Sequence, residues 1–490
     1  MLWILSIYHI LKPLPKIHEM CKINFKLVLS RLFTLFFSIC FIGCAIFPGP
    51  TTKKELIEDI TSYETYINEV HANPFRLITK ESFHDKVEST TNEILKKDAD
   101  TISSLDCYFY LQEISSSIQD GHTRIYIPFN LFSNKDNVFP LKLKRINDLI
   151  YVIDNNSSET VPIYSSILEI NQIPIETLFT ECSLLFNTTL DHAKWLLFED
   201  YFHLLLPMYL KVRPPWKVKY KLDSKVRVAE LKAVTLKEFN KTETRHDNKY
   251  RKYSIFIQNE EVPVLNLPGF SYGEAESYEY FIDSFFKKYA EFPYLVIDIR
   301  ENRGGSGYWG FYLIDNLTDS PYQIAEMFEF KVSERMRNSI YAGKAGNQLN
   351  NAKNGEYLEA VNHRMRVPHK TPKKFKGKVF LLISENTFSA GVVFAAVFKA
   401  NRFGLIIGRE TAGRISFGSD PVTVRLPNSK LKGSIPLAIY TLPGENPDRG
   451  VIPDIVVSRA IDEYRLGRDV EMEKIKSLIK EDIINRNGSD

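Results

Sequence analysis

The sequence predicts a multidomain protein of the α/β class, α+β in its arrangement of domains, and three observations carry that prediction. Its 490 residues exceed one ordinary domain of roughly 150 residues. Residues 55 to about 120 carry helix-type apolar spacing. From Val262 onward, short buried-strand runs alternate with helical runs, the pattern of a sheet covered by helices.

Taken in order, the chain opens on an address. Leu32 to Gly43 reads LFTLFFSICFIG, an apolar run of 12 residues behind Lys22, Lys26 and Arg31. That length suits the core of an export signal better than a membrane span. Phe41-Ile42-Gly43-Cys44 resembles a relaxed bacterial lipobox, with Phe41 in place of the usual Leu, and marks Cys44 as the acylated residue. Residues 1–44 are therefore read as a signal or lipoprotein leader. Met20 opens a segment of ordinary signal length, so the first 19 residues read as an upstream start or a longer leader. An uncleaved anchor helix is the competing reading, and both place the rest of the chain outside the cytoplasmic membrane.

A Pro/Thr/Lys spacer follows, and residues 55–130 form the helical domain, with Leu56, Ile60, Tyr63 and Ile67 on one face and Pro74 interrupting. Between Phe139 and Leu178, runs such as Leu149–Ile153 before Asp154-Asn155-Asn156 are strand signals. Residues 186–250 are a linker or mixed region, with an aromatic-rich helix around Trp195 to Tyr209. Then come VPVLNL, a helix through Tyr278 to Tyr289, LVIDIR, a helix after Gly307, KVFLLIS, a helix from Ser389, and LIIG. The charged tail, residues 463–490, reads as a solvated helix.

Charge and cysteine usage exclude several function classes. The formal net charge of +3 comes from the leader, whose five basic residues face only Glu19, and the remainder is close to neutral. No basic face or stripe suited to nucleic acid appears. Of five cysteines, only Cys107 and Cys182 lie beyond the leader, which is neither a disulfide framework nor a zinc site. At 44% hydrophobic and 25% charged residues, the bulk of the chain folds.

Three short patterns compete as sites. Gly269-Phe-Ser271-Tyr-Gly273 fits the nucleophile elbow of α/β-hydrolases, but no HGGG-like loop supplies oxyanion donors, and a plain strand-to-helix turn is the better reading. Gly305-Ser-Gly307-Tyr-Trp-Gly310 matches a dinucleotide fingerprint, yet Arg300-Glu-Asn-Arg303 separates it from its strand. The third is a set of separated pieces: Asp120-Gly-His122-Thr123, then Asp298-Ile-Arg300-Glu-Asn-Arg-Gly304-Gly305, then Ser384-Glu-Asn-Thr-Phe-Ser389-Ala-Gly391. A serine that opens an apolar helix sits where free N–H groups and the helix dipole favour developing negative charge.

These pieces, in this order, resemble the tail-specific or C-terminal processing serine peptidases and the related tricorn core protease. The likeness runs from about residue 55 to 457, through Gly408-Arg-Glu-Thr-Ala-Gly413 and Gly450-Val-Ile-Pro453-Asp454. It implies a crotonase-like peptidase domain over residues 251–462 and a PDZ-like region over 139–185. By the resemblance, Ser389 is the nucleophile, and the amide of Ala390 with that of Gly304 or Gly305 forms the oxyanion hole.

One branch of that family uses a lysine about two dozen residues after the serine, and Arg414 stands there. Arginine stays protonated and cannot accept a proton from a hydroxyl. The other branch uses a histidine at the end of the helical domain, which makes His122 the base. In that branch a carboxylate orients the ring, in tricorn through a serine beside the histidine; Gly121 occupies that position. Glu445 and Asp448 are the nearest candidates for the acid. Val392 replaces a glutamate common after the serine motif.

The expectation is an exported serine endopeptidase of the bacterial cell envelope, in the periplasm or outer membrane, held to the membrane by a lipid anchor. It would cleave unfolded or extended polypeptides through an acyl-enzyme, with no metal, cofactor or nucleic acid. Two alternatives stand beside it: an inactive relative that binds peptides or apolar ligands, and an esterase using Ser271.

Overall fold

Two periodicities organise the chain, and the computed structural model shows where each is spent. It describes residues 49–487 except 159–160, 243–248, 271–274 and 372. The leader with Cys44, and Ser271 of the elbow pattern, lie outside the described residues.

Helix α1 (Lys53–Val70) begins on a capping box, Thr52 accepting from the Glu55 amide while Glu55 accepts from that of Thr52. It buries Leu56, Ile60, Tyr63, Ile67 and Val70, the stripe expected of a helix covering a core. Helices α2 (Lys80–Leu95) and α3 (Ser104–Ser116) complete the layer.

After the short strand β1 (Arg124–Ile125), strands β2 (Leu141–Ile146), β3 (Leu149–Asn155) and β4 (Ser166–Ile170) lead to helices α4 (Ile175–Ser183) and α5 (Asp191–Met208). The sheet continues through β5 (Trp216–Leu222) and β6 (Lys225–Leu231) in the order β6-β5-β4-β3-β2, all antiparallel. The strands expected at 139–185 thus belong to a larger sheet, which the mixed region completes with β5 and β6.

A second sheet holds β7 (Arg251–Ile257), β8 (Glu260–Asn266), β9 (Tyr294–Asp298), β12 (Lys378–Ile383), β13 (Leu405–Gly408) and β16 (Ile455–Val456), in that spatial order. All neighbours beyond the β7/β8 hairpin are parallel. Alternate residues serve opposite faces. Leu295, Ile297, Leu381 and Ile383 pack under α6 (Ala275–Tyr289), α7 (Gly307–Ile314) and α8 (Ala390–Ala400). Tyr294, Val296, Phe380 and Leu382 pack under α9 (Val470–Asn487). The tail expected as a solvated helix therefore buries Met472, Ile475, Ile479 and Ile483; its apolar stripe is one side chain wide and easily lost among charges.

A third sheet, β11-β10-β15-β14, joins β10 (Tyr322–Lys331), β11 (Tyr357–Arg366), β14 (Ser416–Arg425) and β15 (Lys432–Thr441), and β1 pairs with β15. Pro50–Asp490 form one compact unit. Cys107 and Cys182 are free and buried. Among the described residues no helix is long and apolar enough to cross a membrane.

Candidate active site

The carboxyl ends of β9 and β12 lie side by side, so the loops leaving them must meet, the usual place for a site in a parallel sheet. They interlock: the Thr387 hydroxyl donates to Ile299 O (3.0 Å), the Ser384 hydroxyl to Arg300 O (2.6 Å), and the Phe388 amide to Asn302 O (3.0 Å). Asn302 is fully buried and donates its Nδ2 to Leu267 O at 3.1 Å. Helix α8 then starts at Ala390, and Ser389 stands at its N-cap with φ 52° and ψ −119°. A non-glycine residue in that conformation is strained and is held by its surroundings.

His122 arrives from another layer. Its turn closes with the Thr123 amide donating to Asp120 O (3.0 Å), and β1 ties it to β15, where the Ser434 hydroxyl donates to His122 O at 2.7 Å. Gln112 and Asn187 brace the same turn, Gln112 Oε1 accepting from the Ile125 amide and Asn187 Nδ2 donating to Thr123 O. Across 267 residues of sequence, the Ser389 hydroxyl lies 3.2 Å from His122 Nε2. The ring is stacked between Phe388 and Phe417, with centroids 5.3 and 5.6 Å away. Burial pushes the imidazole below its ordinary pKa, against an upward pull from the Asp120 carboxylate.

The expected orienting acids are corrected by this geometry. Glu445 is exposed. Asp448, also largely exposed, faces Arg414 Nη1 at 3.8 Å. His122 Nδ1 is buried without a hydrogen-bond partner, so neither carboxylate holds the ring. The loop Gly444–Arg449 lies close in sequence to the family's closing motif but is anchored elsewhere, Arg449 pairing with Glu410.

The buried carboxylate of the site is Asp120, inside the motif itself. Its Oδ1 accepts from the His122 amide at 2.9 Å and its Oδ2 from the Gly418 amide at 2.6 Å. Burial would raise this carboxyl, yet the nearby His122 and His71 rings and the two amides hold it below the ordinary value. A side chain at Gly418 would reach within 2.8 Å of both carboxylate oxygens. His71, also buried, accepts from the Asn73 amide at Nδ1 (3.0 Å), leaving Nε2–H to donate to the Thr123 hydroxyl at 2.8 Å.

The two glycines divide their work. The Gly304 amide donates to Asn302 Oδ1 at 3.0 Å, which removes it from the candidate oxyanion donors. The Gly305 amide and that of Ala390, at the first position of α8, have no protein acceptor among the described residues. Both glycines have positive φ, 107° and 129°. A Cβ on Gly304 would stand 2.7 Å from Ser389 Cβ, and one on Gly305 only 1.6 Å from Phe270 O. Gly121, where a serine was expected in relatives, packs on Phe388: a Cβ there would lie 3.0 Å from that ring. Val392 is buried in the helix-covered core.

Ser389 and His122 open onto a cavity of about 770 Å³. Sequence reasoning missed much of its wall: Arg76 from the helical layer, Leu197, Tyr201 and Leu204 from α5, and Phe186 before it. The only hint was the aromatic richness of residues 195–209, since nothing in a helix's own sequence says which site it faces.

Comparison with known proteins adds the following. Residues 261–457 match the model of peptidase family S41. No curated protein matches the chain significantly. Among solved structures, mature CPAF complexed with lactacystin is similar, at 16% sequence identity and a TM-score of 0.64 over 88% of this chain and 99% of that one. A second structure of mature CPAF gives 15% and 0.65, covering 88% and 98%. At this identity the likeness is one of fold.

Proposed function

We propose that the chain is a serine peptidase acting on polypeptides, a reading supported by the match of residues 261–457 to the model of peptidase family S41, with Ser389 its nucleophile and His122 its general base, acting as an endopeptidase. The single observation that carries this reading is the 3.2 Å approach of Ser389 Oγ to His122 Nε2 at the start of an apolar helix. The Ser389 hydroxyl passes its proton to Nε2 as the oxygen attacks a substrate amide carbonyl. The Gly305 and Ala390 amides receive the negative charge that develops on the carbonyl oxygen. His122 then gives the proton to the departing amine, and a water activated by the same ring hydrolyses the acyl-enzyme. Asp120 fixes the His122 backbone and favours the cationic ring electrostatically.

The test is labelling with a fluorophosphonate, which reports an activated serine without knowledge of the substrate. Labelling at Ser389, lost in Ser389→Ala and slowed by about 100-fold or more in His122→Ala, supports the proposal. Full-rate labelling in His122→Ala, or labelling confined to Ser271, overturns it. Lactacystin, which is bound in the structurally similar CPAF, is a second probe of the same serine.

Export with acylation at Cys44 completes the proposal. Its support is the apolar run before Gly43-Cys44 behind three basic residues. Incorporation of labelled palmitate into the full chain expressed in a bacterium, absent from Cys44→Ala, is the outcome it requires.

A further inference from the structure

The charge on the wall of the Ser389 cavity is unbalanced. Arg76, Arg124, Arg303 and Arg414 line it, against Asp120 and Asp200. Asp200 is already paired with Arg303 at 3.0 Å, and both oxygens of Asp120 are occupied by backbone amides. Arg124 is exposed to solvent, and of the arginines withdrawn from it Arg414 has the most donors unused. Its side chain is 11% exposed, and its Nε and Nη1 are buried with no hydrogen-bond partner. Its contacts are the Thr189 hydroxyl, which accepts from Nη2, and the largely exposed Asp448 at 3.8 Å.

Beside it stands Arg76, whose guanidinium is in no ion pair among the described residues. Its two Nη atoms donate to the hydroxyl and carbonyl of Ser416, at 2.9 and 3.1 Å. The two positive charges also bear on each other: burial lowers the Arg414 pKa, and Arg76 lowers it further. A guanidinium withdrawn from water with unused donors is costly unless an anion meets it, and its planar fork matches a carboxylate. Arg414 follows Gly413, which packs against the Phe388 ring beside the nucleophile, so an anion held there would lie in the same cleft as the reacting carbonyl.

We propose that Arg414, supported by Arg76, is a carboxylate-recognition subsite of the cleft, so that polypeptides presenting a carboxylate near the scissile bond are bound in preference to neutral ones. The carboxylate is either an acidic side chain or a chain's own C-terminus. This deepens the peptidase reading and takes from it only the statement that the cleft holds polypeptide.

Binding to the Ser389→Ala protein tests it without requiring turnover. Fluorescent peptides are compared by anisotropy in matched pairs, Glu against Gln within the chain, and a free against an amidated C-terminus. The expected result is a preference of about tenfold or more for one charged member of a pair, and the pair that shows it identifies the source. Arg414→Gln should bring the two affinities within about twofold, and Arg414→Lys should restore part of the difference. Asp448→Asn, which removes the competing anion from an exposed position, should increase the preference. Equal binding of charged and neutral peptides, or a preference that survives Arg414→Gln, overturns the proposal. Failure of Ser389 labelling in the wild type sinks the peptidase reading instead, and the binding ratios still decide this one.

Discussion

Gly304→Ala gives the sharpest test of the site, because the obstacle it meets is known atom by atom. The added methyl would stand 2.7 Å from Ser389 Cβ, 3.1 Å from Phe388 O and 3.2 Å from Ala390 N. Carbon atoms in contact sit at about 3.5–4.0 Å, so relief requires a separation of about 1 Å between the glycine loop and the nucleophile. Backbone strain adds to this, since φ at Gly304 is 107°, a region that costs a side-chain-bearing residue about 1–3 kcal/mol. Ser389 is the atom group that can yield, and its hydroxyl is the partner of His122. A misplacement of about 1 Å is worth about 100-fold in rate. The assay is the second-order rate constant for fluorophosphonate acylation, measured beside thermal unfolding. Gly343→Ala, where an added Cβ meets nothing within 4 Å, is the control and should acylate at the wild-type rate. If Gly304→Ala also acylates at that rate, with an unchanged melting temperature, the stated packing of glycine loop on nucleophile is wrong.

Other expectations follow from the same geometry. Asp120→Asn withdraws the charge that raises the His122 pKa, so the acid limb of the acylation profile should move to lower pH; the loss of a charge-assisted hydrogen bond, about 1.5–3 kcal/mol, should slow the plateau about 10- to 100-fold. An unmoved limb would remove Asp120 from the electrostatics of the ring. Burial lowers the His71 pKa from 6.5 to about 4, so the folded state resists its protonation. Stability is then full above about pH 6.5 and falls as pH drops from there towards 4, by about 3 kcal/mol from this ring; denaturant titrations of wild type and His71→Gln should show the variant losing less over that window. Glu471 is fully buried among Arg300, Arg409 and Arg459, and Glu471→Gln leaves three guanidiniums around a neutral amide. A destabilisation of about 3–5 kcal/mol is expected, and a change below about 0.5 kcal/mol in urea unfolding would show that solvent already screens the cluster.

Much of the fold was readable because it is written in local periods. The stripe of Leu56, Ile60, Tyr63 and Ile67 is visible at helical spacing and is buried as a helix face. LVIDIR and KVFLLI are continuous apolar runs because both faces of their sheet are covered. The tail was misread for the complementary reason: Met472, Ile475, Ile479 and Ile483 make a stripe too narrow to stand out until the sheet face they cover is known. At the site, Ser389, His122, Gly305 and Ala390 were named from short motifs, and the structure places the first two in contact. Gly304 and Gly305 could not be told apart, because the acceptor that takes the Gly304 amide, Asn302 Oδ1, is oriented by Leu267, just past the end of β8.

By itself the sequence determined those strands and helices that are written as local apolar periods, and its short motifs supplied, through their resemblance to a known family, the residues expected as nucleophile and base. Only the tertiary structure decided that the imidazole and the hydroxyl meet, that Glu445 and Asp448 stand away from the ring, and that Arg76 and Arg414 share a wall with Ser389. Those are relations between layers far apart along the chain. They depend on how α3, the turn after it and the third sheet dock against the ends of β9 and β12, and packing of that kind leaves no period in the sequence to read.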